Sequence, residues 1–168
     1  MLIVEDGTGK PDSDSYVSLV DARALAAKYG YTLPTDDDKA NVSIRNGTQY
    51  VDMNESCFGG VRKLLTQALA WPRVGAKTTF KAEISDDTIP EQLKIAVVAA
   101  AAEYGAGVDV RATDDGKAIA SEEVTGAVAV SYFNNGKTGN TVVITKAIDA
   151  LKTLMVACSN GFEFRVYR

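Results

Sequence analysis

The most constraining stretch of this chain is an alanine-rich run, PEQLKIAVVAAAAEYGAG, at residues 90–107. Pro90 favours a helix start, because the amide that proline lacks has no intrahelical acceptor there. Val98, Ala99 and Ala102 leave the predicted helix little polar surface, so other elements must surround it. Its main apolar face is Leu93, Ala96, Val97, Ala100, Ala101 and Tyr104.

Two shorter helical patterns precede this run. Ser18 is a good N-cap, Asp21 lies at the capping-box offset and Gly30 supplies a left-handed stop, which predicts a helix over residues 19–29. Thr35 is the predicted cap of a second helix, whose acidic first turn suits the positive end of the helix dipole. Its inward stripe is Ala40, Ile44, Gly47 and Val51. A glycine inside a helix costs about 1 kcal/mol against alanine, so Gly47 indicates a close helix crossing.

The segment VRKLLTQALAW at residues 61–71 is compatible with a short third helix. Pro72 disfavours a helical conformation at Trp71, so that helix should end there. Residues 73–87 lack a clear period and are predicted to form a long loop, with a short extended piece at 78–84.

The last third of the chain changes character. EEVTGAVAVSYF, at residues 122–133, is β-branched and alternating, which favours one or two strands. We therefore predict a mainly α fold, a four- to five-helix bundle with a small antiparallel β element, in one domain of residues 1–168. Its predicted parts are an extended arm at 1–17, a helical core at 19–106, the β element at 119–144, a last helix at 144–157 and a C-terminal tail at 158–168.

Composition narrows the function classes. The chain has no histidine, which excludes Ser-His-Asp triads, Cys-His pairs and histidine-ligated metal sites. Cys57 and Cys158 belong to no CxxC pair, so we expect two buried or idle thiols. No nucleophile and base can be nominated, and we expect no catalysis, no cofactor and no metal.

Net charge and hydropathy disfavour two classes of binding partner. The net charge of −4 disfavours a polyphosphate ligand unless the basic residues gather on one face. No apolar run is long enough to span a membrane, and the start lacks the pattern of a secretory signal, so we expect a cytoplasmic site of synthesis and no membrane partner.

Two glycine motifs and several acidic pairs invite other interpretations. GTGK at residues 7–10 and GKT at 136–138 lack the remaining residues of a phosphate-binding loop, and turns are the better interpretation. The acidic clusters do not complete a calcium-binding loop, so helix capping and solvated loops explain them.

Trp71, the single tryptophan, has two interpretations. It is either a core anchor whose indole N–H finds a carbonyl, which we favour, or a stacking platform for bases. The anchor would include Pro72, Arg73 and, at the helix crossing, Gly47. The platform would use Arg62, Lys63, Arg73 and Lys77.

Several short motifs, in this order, resemble one family: IVEDGTG, DSYVSL, IRNGTQYVD, FGG, QALAWPR, DTIPEQLKIAVVAAAAE, EEVTGAVAVSY and AIDALKTLM. Together they cover most of the chain. The family is that of the head-tail connector or adaptor proteins of tailed bacteriophages, also described as DnaT-like single-stranded DNA-binding proteins. The loop after WPR and the segment NNGKTGNTVVIT depart from its pattern.

This resemblance implies a structural virion protein at the capsid vertex, made in the host cytoplasm. It implies a homo-oligomeric ring, commonly twelve-membered, beneath the portal protein. The ring would extend the DNA channel, let double-stranded DNA pass without specific binding and dock a downstream head-completion or tail-joining protein. The residues we expect at the subunit or portal interface are Phe162, Phe164, Arg165, Val166, Tyr167, Val128, Val130 and Tyr132. The alternative is a single-stranded DNA-binding accessory protein.

Overall fold

The computed structural model describes residues 1–108, 143–156 and 158. All of these residues except Val143 belong to one compact unit. Its helices are α1 (Leu19–Tyr29), α2 (Asp37–Asp52), α3 (Glu91–Gly105) and α4 (Thr145–Leu151), with a short 3-10 helix at Glu55–Cys57. Two antiparallel strands, β1 (Val61–Arg62) and β2 (Arg73–Val74), form the one regular sheet in the described part of the chain. The mainly helical fold class with a small antiparallel β element is therefore confirmed.

The alanine-rich helix α3 is the centre of this unit, as its sequence predicts. It packs against α1, α2 and α4. Every residue from Ala96 to Ala101 is buried, including Val98 and Ala99 on the side away from its main apolar face. A helix that is apolar all round gains little from one partner, and here three others cover it.

α2 and α3 approach each other closely at Gly47. A β-carbon at this position would lie 2.5 Å from the carbonyl oxygen of Val97 and 2.9 Å from the amide nitrogen of Ala101. These atoms are backbone, which cannot move aside as a flexible side chain can. The predicted inward stripe of α2 is confirmed, since Ala40, Ile44, Gly47 and Val51 are all buried.

The ends of the first two helices follow from their caps. The Ser18 hydroxyl accepts a hydrogen bond from the Asp21 amide, and Gly30 adopts the left-handed conformation that ends α1, as predicted. The cap of α2 is Asp36 rather than Thr35, because the Asp36 carboxylate accepts a hydrogen bond from the Lys39 amide. The predicted cap is therefore one residue too early in the sequence.

The third helix predicted at residues 61–71 is wrong. Val61 pairs with Val74 and Arg62 with Arg73, so the segment begins as a strand of a two-stranded ribbon. The Gln67 side chain then holds the chain in a loop, with its oxygen 2.9 Å from the Leu64 amide nitrogen. Its amide nitrogen donates to the carbonyls of Leu69 and Pro72. The strand pairing and the Gln67 hydrogen bonds together override the helix propensity of this segment.

The last helix and the cysteines also differ from expectation. α4 ends at Leu151, so the last helix is shorter than the predicted 144–157, although Ile144 and Leu151 are buried.

Cys57 and Cys158 form a disulfide, with their α-carbons 4.8 Å apart. The expectation of two idle thiols is therefore wrong, because a separation of 101 residues in sequence gives no information about proximity in the fold.

The N-terminal segment is docked on the helical core. Val4 and Ser15 form an isolated parallel bridge, and Tyr16 and Val17 are buried. Arg45 of α2 also contacts the segment, donating to the Asp14 carboxylate at 2.7 Å.

Two predicted parts of the chain lie outside the described residues. They are the β element at 119–144, except its last two residues, and the tail after residue 158. Among the described helices, none has both the length and the apolar character to cross a membrane.

Gly47→Ala tests the close crossing of α2 and α3. Helix propensity alone would make the alanine variant about 1 kcal/mol more stable. The contact with the α3 backbone should reverse this and lower the free energy of unfolding by about 1–3 kcal/mol, measured by urea denaturation.

Gln49→Ala is the control for Gly47→Ala, since it introduces alanine at an exposed position of the same helix. It should change stability by no more than about 0.5 kcal/mol. A Gly47→Ala variant as stable as the parent protein would show that the two helices separate at little cost.

Candidate functional site

Trp71 lies in the core and is 1% exposed. Its ring packs edge-to-face on Phe58, with the ring centroids 5.9 Å apart, and its backbone amide donates to the Tyr16 hydroxyl at 3.0 Å. Among the described residues, no acceptor lies within hydrogen-bond distance of the indole nitrogen, so the expected carbonyl partner is not found. A ring enclosed in this way has no face on which a base could stack.

A buried polar pair supports the chain just before Trp71. The Tyr16 hydroxyl donates to one oxygen of the Asp52 carboxylate at 2.6 Å, and the other oxygen accepts from the Ala70 amide at 3.1 Å. Burial raises the pKa of Asp52 to about 6, against the opposing effect of these hydrogen bonds. The pKa of Tyr16 is also raised, mainly by burial and secondly by the nearby negative charge of Asp52. The pair connects the N-terminal segment, α2 and the loop at residues 69–72.

Glu55 pairs with both arginines of the ribbon. Arg62 makes two parallel hydrogen bonds of 2.6 Å to the Glu55 carboxylate, which lower its pKa. Arg73 is buried and lies 3.3 Å from the same carboxylate. Its guanidinium also donates to the carbonyls of Gly59, Gly60 and Ala70. Arg73 therefore holds the loop at residues 58–60, which we call the FGG loop.

Arg62, Lys63, Arg73 and Lys77, proposed from sequence as a nucleic-acid patch, each have an acceptor within the chain. Lys63 donates to the Gly7 carbonyl at 3.2 Å, and Lys77 pairs with Glu83 at 3.1 Å. Together with the burial of Trp71, these contacts leave the predicted basic and aromatic cluster without its stacking surface and with its charges partly neutralised.

The GTGK motif forms an anion cradle that the chain itself fills. One oxygen of the buried Glu5 carboxylate accepts from the amides of Gly7 and Gly9, both at 2.9 Å. The other accepts from the Lys10 amide at 2.8 Å and the Ser13 hydroxyl at 3.2 Å. Successive amides of this kind commonly bind phosphate, but an internal carboxylate takes that place here.

The structure reveals an aromatic and basic cluster that the sequence analysis missed. Tyr29 and Tyr31 stack at the end of α1, with ring centroids 6.2 Å apart. The Lys28 ammonium lies 5.2 Å from the centre of the Tyr29 ring, and that of Lys146 lies 5.9 Å from Tyr31. Tyr31 and Lys146 also line an open cleft of about 310 Å³. Lys146 is more than 100 residues from the tyrosines in sequence. The only sequence feature that could have indicated the cluster is therefore the segment K-Y-G-Y at residues 28–31.

The lysines of this cluster are paired with carboxylates. Lys28 lies 3.3 Å from Glu91, and Lys146 lies 3.4 Å from Glu103. The Glu91 hydrogen bond raises the pKa of Lys28. The four formal charges cancel, so the cluster combines exposed aromatic surface with little net charge.

Exposed apolar side chains gather on the ribbon and the loop after it. Val61 and Val74 face each other across the two strands and are 66% and 43% exposed. Leu64 and Leu65 follow β1, and Leu65 is fully exposed. We call these four residues the ribbon patch. The eight residues predicted at the subunit or portal interface, between Val128 and Tyr132 and between Phe162 and Tyr167, lie outside the described residues.

A sequence comparison places the chain among known families. The model of the family described as "Putative DnaT-like ssDNA binding protein" matches residues 1–168. The chain belongs to this DnaT-like family. No curated protein and no solved structure matches it significantly. The family's description names single-stranded DNA binding, the alternative of the sequence analysis, and gives no support to a head-tail connector. No cluster of metal-ligating side chains occurs in the described part of this DnaT-like chain.

Stability of the DnaT-like chain should depend on pH through Asp52. Its pKa of about 6 in the folded protein exceeds the ordinary value of 3.8, so the folded state retains a proton that the unfolded state releases. This stabilisation is fully present below pH 3.8 and is lost as pH rises through 6. It amounts to about 3 kcal/mol. Urea denaturation from pH 4 to 7.5 measures it.

Asp52→Asn separates this contribution from that of the other carboxylates. The variant lacks the titrating group, so its free energy of unfolding should decline less than that of the parent protein as pH rises. The slope is the readout, because Asn keeps one acceptor oxygen where Asp52 has two, so one of the two hydrogen bonds is lost at every pH. Equal slopes would contradict the raised pKa.

Arg73→Lys and Arg62→Lys form a matched pair that tests the buried guanidinium. A lysine at position 73 cannot reach the carbonyls of Gly59, Gly60 and Ala70 together, so stability should fall by about 3 kcal/mol. The same change at the half-exposed Arg62 should cost about 1 kcal/mol or less. Equal losses in thermal and urea denaturation would show that Arg73 does not organise the loop.

Proposed function

We propose that this chain is a structural assembly protein, a head-to-tail adaptor of a tailed bacteriophage that forms a ring under the portal and performs no catalysis. The observation that carries the proposal is the ribbon patch, in which Leu65, four residues after Val61 of the Val61–Val74 pair, is fully exposed. Contiguous apolar side chains on a soluble surface commonly mark a protein interface. Neighbouring subunits or the portal would cover this patch.

The charge distribution supports a protein partner over a nucleic-acid partner. The net charge is −4, and Glu55 pairs with Arg62 and Arg73 where the sequence had suggested a basic patch. A channel for double-stranded DNA functions best when it does not bind the phosphates passing through it. The order of the sequence motifs, from IVEDGTG to AIDALKTLM, resembles the adaptor family and supplies the specific role.

Single-stranded DNA binding is the second candidate, because the description of the matched family names it. Among the described residues, one aromatic surface suited to such binding is the Tyr29–Tyr31 stack, with Lys28 and Lys146 beside it. Bases stack on exposed aromatic rings while lysines contact the backbone. The pairing of both lysines with glutamates weakens this candidate, since few phosphates would be neutralised.

One experiment separates the two candidates. The purified chain is mixed with portal rings encoded by the same genome and imaged by negative stain, and it is titrated in parallel with labelled single-stranded oligonucleotide at two salt concentrations. An adaptor should add a ring of density to the portal and show no salt-sensitive DNA binding. Leu65→Asp should abolish that ring, because it places a charge in the ribbon patch.

Gln49→Asp, at an exposed position on α2, is the charge control for Leu65→Asp and should leave the ring intact. The DNA candidate predicts the opposite pattern: affinity that falls steeply with salt and about tenfold weaker binding by Tyr29→Ala. Tight oligonucleotide binding without portal association would overturn the adaptor proposal.

A further inference from the structure

The loop at residues 77–83, which we call the Phe80 turn, presents an aromatic side chain to solvent. Phe80 is 82% exposed, more than any other aromatic residue in the part of the chain that the structure describes. The Lys81 amide donates to the Thr78 carbonyl at 2.8 Å, and the Thr78 amide donates to the Ala82 carbonyl at 2.9 Å. Lys81 has a φ of 65°, which costs free energy in a residue other than glycine. The chain thus maintains a strained, hydrogen-bonded turn that exposes an apolar ring.

A second cleft, which we call the α1 cleft, lies beside the loop that joins α1 and α2. Its volume is about 470 Å³. Its apolar wall consists of Ala26, Ala27, Tyr31, Leu33 and Pro34. Aromatic anchors at protein interfaces commonly fill pockets of this apolar kind on the partner. The chain therefore carries both an exposed aromatic ring and a cleft suited to such a ring.

The Phe80 turn and the α1 cleft lie toward opposite ends of α4. At the start of α4, the Lys146 ammonium lies 5.9 Å from the centre of the Tyr31 ring, which borders the cleft. Beyond the end of α4, the Thr153 carbonyl accepts a hydrogen bond from the Thr79 amide of the turn at 2.9 Å. A contact between two different surfaces of one chain is heterologous, and it repeats from copy to copy until it closes as a ring.

The charges at the turn and at the cleft have opposite signs. In the turn, Lys77 pairs with Glu83, and Lys81 adds one positive charge. At the cleft, three carboxylates outnumber two cations. The charged residues that line the cleft or directly follow its lining are Arg23, Asp36, Asp37, Asp38 and Lys39. Complementary charge of this kind favours the encounter of a turn with the cleft of a second copy.

We propose that the Phe80 turn of one copy docks in the α1 cleft of a second copy of this chain. The Phe80 ring packs against Leu33 and Pro34, and Lys81 lies toward the aspartates at the start of α2. Repeated head to tail, this contact joins neighbouring subunits. Closure of the subunits into a ring beneath a portal rests on the proposed function, whereas the contact between two copies does not.

Two variants and their mixture test the contact by sedimentation velocity. Phe80→Asp removes the ring from the turn, and Ala27→Trp fills the cleft from an exposed position on α1. The parent protein should associate as its concentration rises, and each variant alone should associate at least about tenfold more weakly. An equimolar mixture should form dimers and nothing larger, because the intact turn of one variant can enter only the intact cleft of the other.

Val42→Asp and Ala24→Trp are the matched controls. Each makes the same kind of change at an exposed position outside the turn and the cleft lining, so each should associate as the parent protein does. Circular dichroism verifies that every variant is folded. A parent protein that stays monomeric at its highest attainable concentration would overturn the proposal. Equal association by Phe80→Asp, or equal weakening by the two controls, would overturn it as well.

Photo-crosslinking locates the docking surface without filling the cleft. The photoreactive analogue p-benzoylphenylalanine replaces Phe80 in the full chain, and crosslinked products are separated by size and mapped by mass spectrometry. We expect crosslinks between two copies, from position 80 to residues 26–35. Crosslinks to another part of the second copy, or none between copies, would overturn the proposal.

These outcomes are separate from those of the proposed function, because the experiments need neither portal nor DNA. Association through the cleft without portal binding would overturn the proposed function and leave this contact standing. Portal-bound rings that Phe80→Asp leaves intact would overturn this contact and leave the proposed function standing.

Discussion

The backbone contact between α2 and α3 is the constraint on which the other packing depends. At Gly47 the two helices approach so closely that a single methyl group would overlap the Val97 carbonyl. The buried run Ala96–Ala101 of α3 consists of alanine and valine only, so no large side chain in it holds the neighbouring helices apart. α1 and α4 also pack on α3, whose segment Ala96–Ala101 is buried on every side.

Around that core, several polar side chains form hydrogen bonds to the loops of the same chain. Asp52 and Tyr16 hold the loop before Trp71, and Glu55 with Arg73 holds the FGG turn. Buried polar groups need such partners, since an unpaired one costs about 1–3 kcal/mol. Trp71 and Arg73, which the sequence offered for nucleic-acid binding, are therefore buried within the fold, whereas the ribbon patch is exposed.

The sequence predicted those parts of the fold that depend on local signals. Ser18 and Gly30 set the limits of α1, and the stripe through Ile44 and Gly47 gave the buried face of α2, because caps and periodicity act within a few residues. The segment from Val61 to Trp71 was assigned to a helix, since its loop depends on Gln67 and on pairing with Arg73 across a distance. The disulfide and the cluster of Tyr31 with Lys146 were missed for the same reason: each joins residues about 100 positions apart.

The Glu5 carboxylate in the GTGK loop has a consequence for how the N-terminal segment responds to its surroundings. The occupant of the cradle is tethered to it by two residues, so its effective concentration there exceeds that of any dissolved anion. Inorganic phosphate or a nucleotide would have to displace a group that never diffuses away. The segment should therefore keep one conformation from buffer to buffer, offering its neighbours a surface of constant shape.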